Sequence, residues 1–300
     1  MTDQKRVQQL SENVWILRHN WQRLEPTIGM ILTDEGWVAI DGGNSPLHGQ
    51  KAMDAMKAIR DVPIKYVINT HRHFDHVFGN QAFDAPVIGS DRCRERFEEN
   101  VQDDWGPDRA LDWLKSFIFK YNDQLTEDDF PNLNLVPPSI SYAGEHDLKV
   151  GGSTLHLFPL EGVHTDDGIG VYVVEEKVMF LSDAFYYQGT PEGSALKLPE
   201  LLDRVAQFDV DMYAPGHERA HDAEVFNLVH RGVKHLFKEV ESMMNSGTGK
   251  EEIQANISFD PDLDKRSFLN EKMHRTLIKA AIRELKMLSK SGEQNTGSFI

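Results

Sequence analysis

The heptapeptide Thr70-His71-Arg72-His73-Phe74-Asp75-His76 concentrates metal-binding side chains within one short stretch of this 300-residue chain. His71 and His73 stand two residues apart, so in an extended backbone both imidazoles leave the same side and converge. Asp75 and His76 follow where the chain must turn, and can address a second point close to the first. That spacing suits two adjacent metal ions. With 13 histidines in 300 residues, an HxHxDH string arises by chance on the order of twice per thousand such chains, so a solvated loop of incidental histidines is the weaker reading. Three further donors each end an apolar run: His164 in EGVHTDDG, Asp183 in MFLSDAFYY and His217 in YAPGHERA. Imidazole and carboxylate donors without a thiolate suit zinc first, with iron or manganese as alternatives. Two such ions held about 3.5–4 Å apart can share a hydroxide, bring the pKa of its parent water to about 7, and polarise a carbonyl or phosphoryl oxygen. Asp75 is placed to take a proton from the attacking water or pass one to the leaving group.

Donors this far apart need rigid elements to bring them together. From Val14 to Val38 apolar and polar residues alternate, with a turn signal at Asp34-Glu35-Gly36, which predicts antiparallel strands. Ser45-Pro46 opens a helix in which Met53, Met56 and Ile59 share a face. Ile64–Asn69 is a β-branched run that stops at the histidine cluster, so the cluster sits at a strand end, the usual place for reactive groups on a fixed scaffold. Residues 92–137 read as mostly helical, with Trp105, Trp113, Phe117, Phe119, Tyr121 and Phe130 among acidic residues. An aromatic face packed on the sheet is the preferred account of them, and a lid is the alternative. Strands return between about residues 139 and 183, a helix at LPELLDRVAQF precedes a last strand at DMYAPG, and the remainder is helical with breaks at SGTGKEE and FDPDLDK. Two packed sheets with helices outside follow from this order.

The succession of an aspartate-glycine turn, HxHxDH, a later His, a later Asp and a final Gly-His is similar to the metallo-β-lactamase superfamily. It covers about residues 7–217, and THRHFDHVFGN resembles the branch that includes the quinoprotein-relay metallohydrolases. The resemblance implies an α/β fold, the αββα sandwich, with a helical insertion at 103–137 in a catalytic domain of residues 1–219, and a helical extension at 220–300 packed on it. It implies that His71, His73 and His164 hold one metal, that Asp75, His76 and His217 hold the other, and that Asp183 bridges them. Asp41 would lie behind the metal loop and orient it through a hydrogen bond. The activity implied is dinuclear hydrolysis of an ester, lactone or thioester by a metal-bridging hydroxide. A mononuclear-iron sulfur dioxygenase and a phosphodiesterase of the same fold are the alternatives. Asp183 departs from the Cys or Ser of true β-lactamases, which disfavours antibiotic hydrolysis. Tyr186 repeats the D-x-x-Y spacing of lactonases, whose phenol helps stabilise an oxyanion, although packing explains it as well. HTDDGIG departs from the HTPGH-like loop of lactonases and glyoxalase II, so their substrate contacts do not carry over.

Composition sets outer bounds. Lys and Arg number 32 against 48 Asp and Glu, a net charge of −16. No basic stripe offers to replace phosphate counterions, which argues against a nucleic-acid partner. One cysteine, Cys93, excludes an internal disulfide framework, and the first residues do not resemble a signal peptide. Without a run of about 18 apolar residues there is no membrane span. A cytoplasmic enzyme with a small-molecule substrate is the resulting expectation, with a second copy of the chain a candidate partner through the C-terminal helices. Arg72 reads as a structural salt bridge behind the loop, Asn80 as a turn or helix cap, and Cys93 as a buried packing residue.

Overall fold

The computed structural model describes residues 3–102, 107–185, 192–258 and 270–295. It divides into two compact units, the first comprising Met1–Leu160, Asp167–Ser182 and Val210–Ala220, the second Glu161–Asp166, Asp183–Asp209 and His221–Ile300.

In the first unit β1 (Val7–Gln9), β2 (Val14–Leu17), β3 (Ile28–Thr33) and β4 (Gly36–Ile40) form an antiparallel meander. Helix α1 (Pro46–Ile59) then crosses to β5 (Ile64–Ile68), which lies parallel to β4. The Ser45 side chain caps α1 by accepting from the His48 amide, with Pro46 in the first turn, as its sequence predicts. After the short α2 (Phe74–Val77) the chain adds β6 (Val87–Ser90), α3 (Asp91–Gln102), α4 (Pro107–Trp113) and α5 (Phe119–Tyr121), and β7 (Ile140–Tyr142) closes this sheet in the order β1-β2-β3-β4-β5-β6-β7. The second sheet of this unit runs β12-β11-β10-β9-β8, built from β8 (His146–Val150), β9 (Ser153–Pro159), β10 (Ile169–Val173), β11 (Val178–Ser182) and β12 (Met212–Pro215). Only β11 and β12 pair in parallel here.

Period-two alternation decides the layers. Ile31, Val38, Ile40 and Ile68 face the second sheet and meet Leu155, Leu157, Val171 and Phe180. Their neighbours Met30, Trp37, Ala39 and Val67 point the other way, onto Ala52 and Met56 of α1. Both faces of β3 and β4 are therefore buried, so these strands are nearly continuous apolar runs and depart from the apolar-polar alternation expected between Val14 and Val38. The helical insertion packs by its apolar face, with Ala110, Leu114, Ile118 and Phe130 gathered around Val77 and Phe78. Phe74 and Trp113 meet edge to face with centroids 5.3 Å apart, so the insertion buttresses the turn that carries Asp75 and His76. Residues 103–106 of it lie outside the described residues.

The second unit holds α6 (Leu198–Val205), the two-residue β13 (His221–Asp222), α7 (Ala223–Asn245), α8 (Lys250–Asn256) and α9 (Glu271–Asn295). Asp222 caps α7 by accepting from the Val225 amide at 2.9 Å. The buried stripe of α7 runs through Val225, Val229, Val233, Leu236 and Val240, whereas Leu228 and Phe237 are half-buried. No helix among the described residues is long and apolar enough to cross a membrane.

A buried charge cluster ties the N-terminal segment of the first unit to α1. Glu25 is 1% exposed and accepts from Arg6, from Arg23 at 3.1 Å and from Lys51 at 2.9 Å. Burial alone pushes its carboxyl up, but His48, Arg6 and Lys51 outweigh burial and hold it down at about 2 against an ordinary 4.5. A depressed carboxylate contributes stability that is complete above its unfolded pKa and disappears as the pH falls through the folded one. Glu25→Gln is therefore expected to unfold at lower urea than the wild type at neutral pH, with the gap closing as the pH drops from 4.5 towards 2. A gap independent of pH across that window contradicts this role.

Candidate metal centre

Four strands of the first unit end close together. Asp41 follows β4, Asn69 and Thr70 follow β5, Ser182 ends β11, and Gly216-His217 follows β12. β4 and β5 are parallel, as are β11 and β12, so these are carboxyl ends of parallel strands, where α/β sheets collect their ligands. The loops are tied by backbone bonds: Asp41 N–H to Ile68 at 2.8 Å, Ile169 N–H to Thr70 at 2.8 Å, and Gly216 N–H to Ser182 at 2.9 Å. The DGG turn and the HVFGN turn lie backbone on backbone, with Gly42 N–H donating to His76 at 2.8 Å and Gly79 N–H to Gly43 at 2.9 Å. A Cβ on Gly79 would sit 2.1 Å from the Gly42 carbonyl oxygen, so only glycine permits this approach.

Within this frame His71, His73, Asp75, His76 and His217 meet. The rings of His71 and His73 are 4.6 Å apart, those of His71 and His76 4.2 Å, and those of His76 and His217 5.5 Å. Asp75 Oδ2 lies 2.9 Å from His217 Nε2 and 3.7 Å from His76 Nε2. In the second unit, His164 Nε2 lies 3.6 Å from Asp183 Oδ2. There Gly193 packs against the carbonyls flanking His164, Ser194 N–H donates to Gly162 at 3.0 Å, and Glu284 of α9 accepts from Ser194 Oγ at 2.6 Å. The C-terminal helix thus steadies the loop that carries His164. Tyr186 lies outside the described residues.

Asp41 organises the first unit's donors. Its carboxylate accepts from the Thr70 amide at 2.7 Å, the Thr70 hydroxyl at 2.9 Å and His76 Nδ1 at 2.7 Å. A carboxylate only accepts, so His76 must carry its proton on Nδ1 and direct the Nε2 lone pair towards Asp75. The same logic extends to His71. The Thr70 proton is committed to Asp41, leaving Thr70 Oγ1 and Ser182 Oγ, 3.2 and 3.3 Å from His71 Nδ1, to accept from that nitrogen and free Nε2 as a ligand. Holding these contacts costs backbone strain: Asp41 sits at φ 66° and Ser182 at φ 47°, a region side chains with a Cβ adopt rarely and mostly where function demands it.

Imidazole nitrogens fixed by proton donation on their far side, clustered around carboxylate oxygens, are what a divalent cation requires, so the residues present fit a metal. The protein around them is equally specific. Asp167 accepts from the Arg72 amide at 2.8 Å and its guanidinium at 2.9 Å, pinning the loop between its two histidines. Asn80 is not a cap: it exchanges amide bonds of 3.0 and 2.8 Å with Asn69, which locks the turn after the motif to the end of β5. Burial and Asp167 push the Cys93 thiol well up, leaving it a packing residue. Trp21 stacks on His217 at 4.9 Å while remaining 46% exposed. Burial and His217 lower His19 to about 4, and burial raises Glu218. Thr70, Ser182, Asp167 and Trp21 carried no sequence signal, because each acts through a partner remote in the chain or through a common residue type.

Residues 23–217 match a family model described as the metallo-beta-lactamase superfamily. A linear primary-alkylsulfatase from Pseudomonas sp. (strain ATCC 19151) is 22% identical over 265 residues, covering 78% of this chain and 50% of that protein. Among solved structures, the stereoselective inverting sec-alkylsulfatase Pisa1 from Pseudomonas sp. superposes with a TM-score of 0.68 at 17% identity, covering 93% of this chain and 50% of the other. A metallo-beta-lactamase from Pontibacter korlensis gives a TM-score of 0.57 at 19% identity, covering 76% and 98% respectively. This chain spans about half the length of the alkylsulfatases it matches.

Replacing Asp41 with Asn puts an amide where only acceptors fit, and is expected to weaken metal binding by about 10–100-fold. Competition against a chromogenic chelator measures it. Unchanged affinity removes Asp41 from the account.

Proposed function

The chain belongs to the metallo-beta-lactamase superfamily, and on that premise we propose that it is a metal-dependent hydrolase cleaving an ester-type bond. The observation that carries this reading is the Asp41–His76–Asp75–His217 arrangement, in which a buried acceptor fixes one imidazole and a carboxylate oxygen sits 2.9 Å from another. We assign His71, His73 and His164 to one ion, Asp75, His76 and His217 to a second, and Asp183 to both. Zinc is the first choice for each. The donor types support that assignment, as does the resemblance of the motif.

Ions held there would lower the pKa of a water and polarise an oxygen of the substrate. The protein's own part is positioning and proton transfer. Asp41 and Thr70 hold the imidazoles in one tautomer, Arg72 and Asp167 keep the loop in place, and Asp75 accepts the proton of the attacking water or delivers it to the departing alcohol. The described structure adds nothing on Tyr186, whose phenol stays a candidate for oxyanion stabilisation. Among ester-type bonds, sulfate esters rank ahead of lactones, carboxylic esters and thioesters, because an alkylsulfatase is among the relatives that this chain resembles. Water would then convert an alkyl sulfate to an alcohol and hydrogensulfate. A small molecule is the substrate on this reading, a reducing compartment such as the cytoplasm suits a chain with one buried cysteine, and pairing of two chains is open to test by sedimentation.

Purified protein assayed against an alkyl sulfate, a lactone, a carboxylic ester, a thioester and a phosphodiester tests the proposal. Turnover of a sulfate or carboxylic ester is expected. It should be abolished by chelation, restored by zinc, and reduced by about a thousandfold in Asp75→Ala. Lactone turnover lost in Tyr186→Phe would move the substrate class to lactones. Iron at one per chain with oxygen uptake overturns the hydrolase reading.

A further inference from the structure

Beside His217 the first unit carries an open pocket of about 860 Å³ whose lining includes Arg6, Arg18, Arg23, Lys51 and Arg219, with Asp129 the carboxylate among the lining residues. In a chain of net charge −16 such a concentration of cations needs an explanation. Part of it is structural, since Glu25 takes Arg6, Arg23 and Lys51, and Asp129 takes Arg23. Arg18 instead spends its donors on carbonyls, those of Lys5 at 2.6 Å and Arg6 at 3.3 Å. Exposed Arg219 forms no salt bridge among the described residues, and its charge is felt by the neighbouring Glu218. Five cations thus stand against the carboxylates of Glu25, Asp129 and Glu218, which leaves positive charge for a ligand to neutralise.

The pocket adjoins the metal centre by chain connectivity. Asn20 and Gln22 line it, while Trp21 between them stacks on His217, and Arg219 is two residues beyond that histidine. Its volume falls in the range of small-molecule sites and far exceeds an inorganic anion. Guanidinium forks match the paired oxygens of carboxylate, sulfate or phosphate.

We propose that this pocket binds a second anionic group of an organic substrate, remote from the bond that is cleaved, with Arg18 and Arg219 as its recognition residues and Trp21 between it and the scissile bond. The substrate role rests on the hydrolase reading above; the anion binding does not. Metal-loaded protein is titrated calorimetrically at low ionic strength with sodium sulfate and sodium hexanoate. Binding of at least one is expected to weaken about tenfold in Arg18→Gln/Arg219→Gln and to persist in Arg94→Gln, a surface control. Loss with sulfate alone or hexanoate alone identifies the headgroup recognised. Anions that bind the double variant as tightly as the wild type, or that do not bind the wild type at millimolar concentration, overturn the proposal. For the substrate role, the ratio of kcat/KM for an ester bearing a remote carboxylate over that for a neutral ester of equal length should fall about tenfold in the double variant. An unchanged ratio overturns the anchoring role. Protein that binds anions through these arginines yet hydrolyses no ester would remove the hydrolase reading and leave the binding site standing.

Discussion

A buried carboxylate at the end of β4 is the contact on which the rest of the centre depends. Asp41 is 2% exposed and would be costly to bury ionised without compensation. It is compensated by three donors, and each belongs to the histidine loop: the amide and hydroxyl of Thr70, and His76 Nδ1. The interaction works in both directions. The loop supplies the hydrogen bonds that satisfy the buried carboxylate oxygens, and the carboxylate dictates which nitrogen of His76 carries the proton. The left-handed backbone at Asp41 is sustained because so many bonds over-determine it.

Around that contact the fold supplies rigidity from several directions. Parallel strands end together, so residues far apart in sequence arrive at one level. The reciprocal Asn69–Asn80 amide pair, the close passage of Gly42 against Gly79, and the Arg72–Asp167 fork hold the loop on its remaining sides. Packing of Phe74 and Phe78 against the helical insertion fixes the turn bearing Asp75. None of these groups is among the proposed metal donors, yet together they limit how far those side chains can wander. Precision of this kind separates a binding site from a surface cluster of histidines.

Much of this was legible in the sequence because the signals are local. Apolar runs between turn signals marked the strands, Ser45-Pro46 marked the start of α1, and the break in apolar pattern after Ile68 marked where the histidines emerge. The order of the motifs gave the family and hence the two-sheet architecture. Contacts between remote residues were not legible. Nothing near Asp167 announces that it will grip Arg72 ninety-five positions earlier, and Asn80 carries the same letters as a turn residue while serving as half of a buried amide pair. The charge cluster at Glu25 was hidden for a similar reason: scattered arginines and one glutamate in an acidic chain read as surface until the fold buries them together.

The proposed chemistry needs paired cations within one nest of side chains. Anomalous diffraction from crystals of the zinc-loaded protein, recorded on both sides of the zinc edge, tests that directly. Two peaks about 3.5–4 Å apart, one against His71 and His73 and the other against Asp75, His76 and His217, are the predicted result. A single peak elsewhere on the surface, or no peak at full zinc loading, contradicts it.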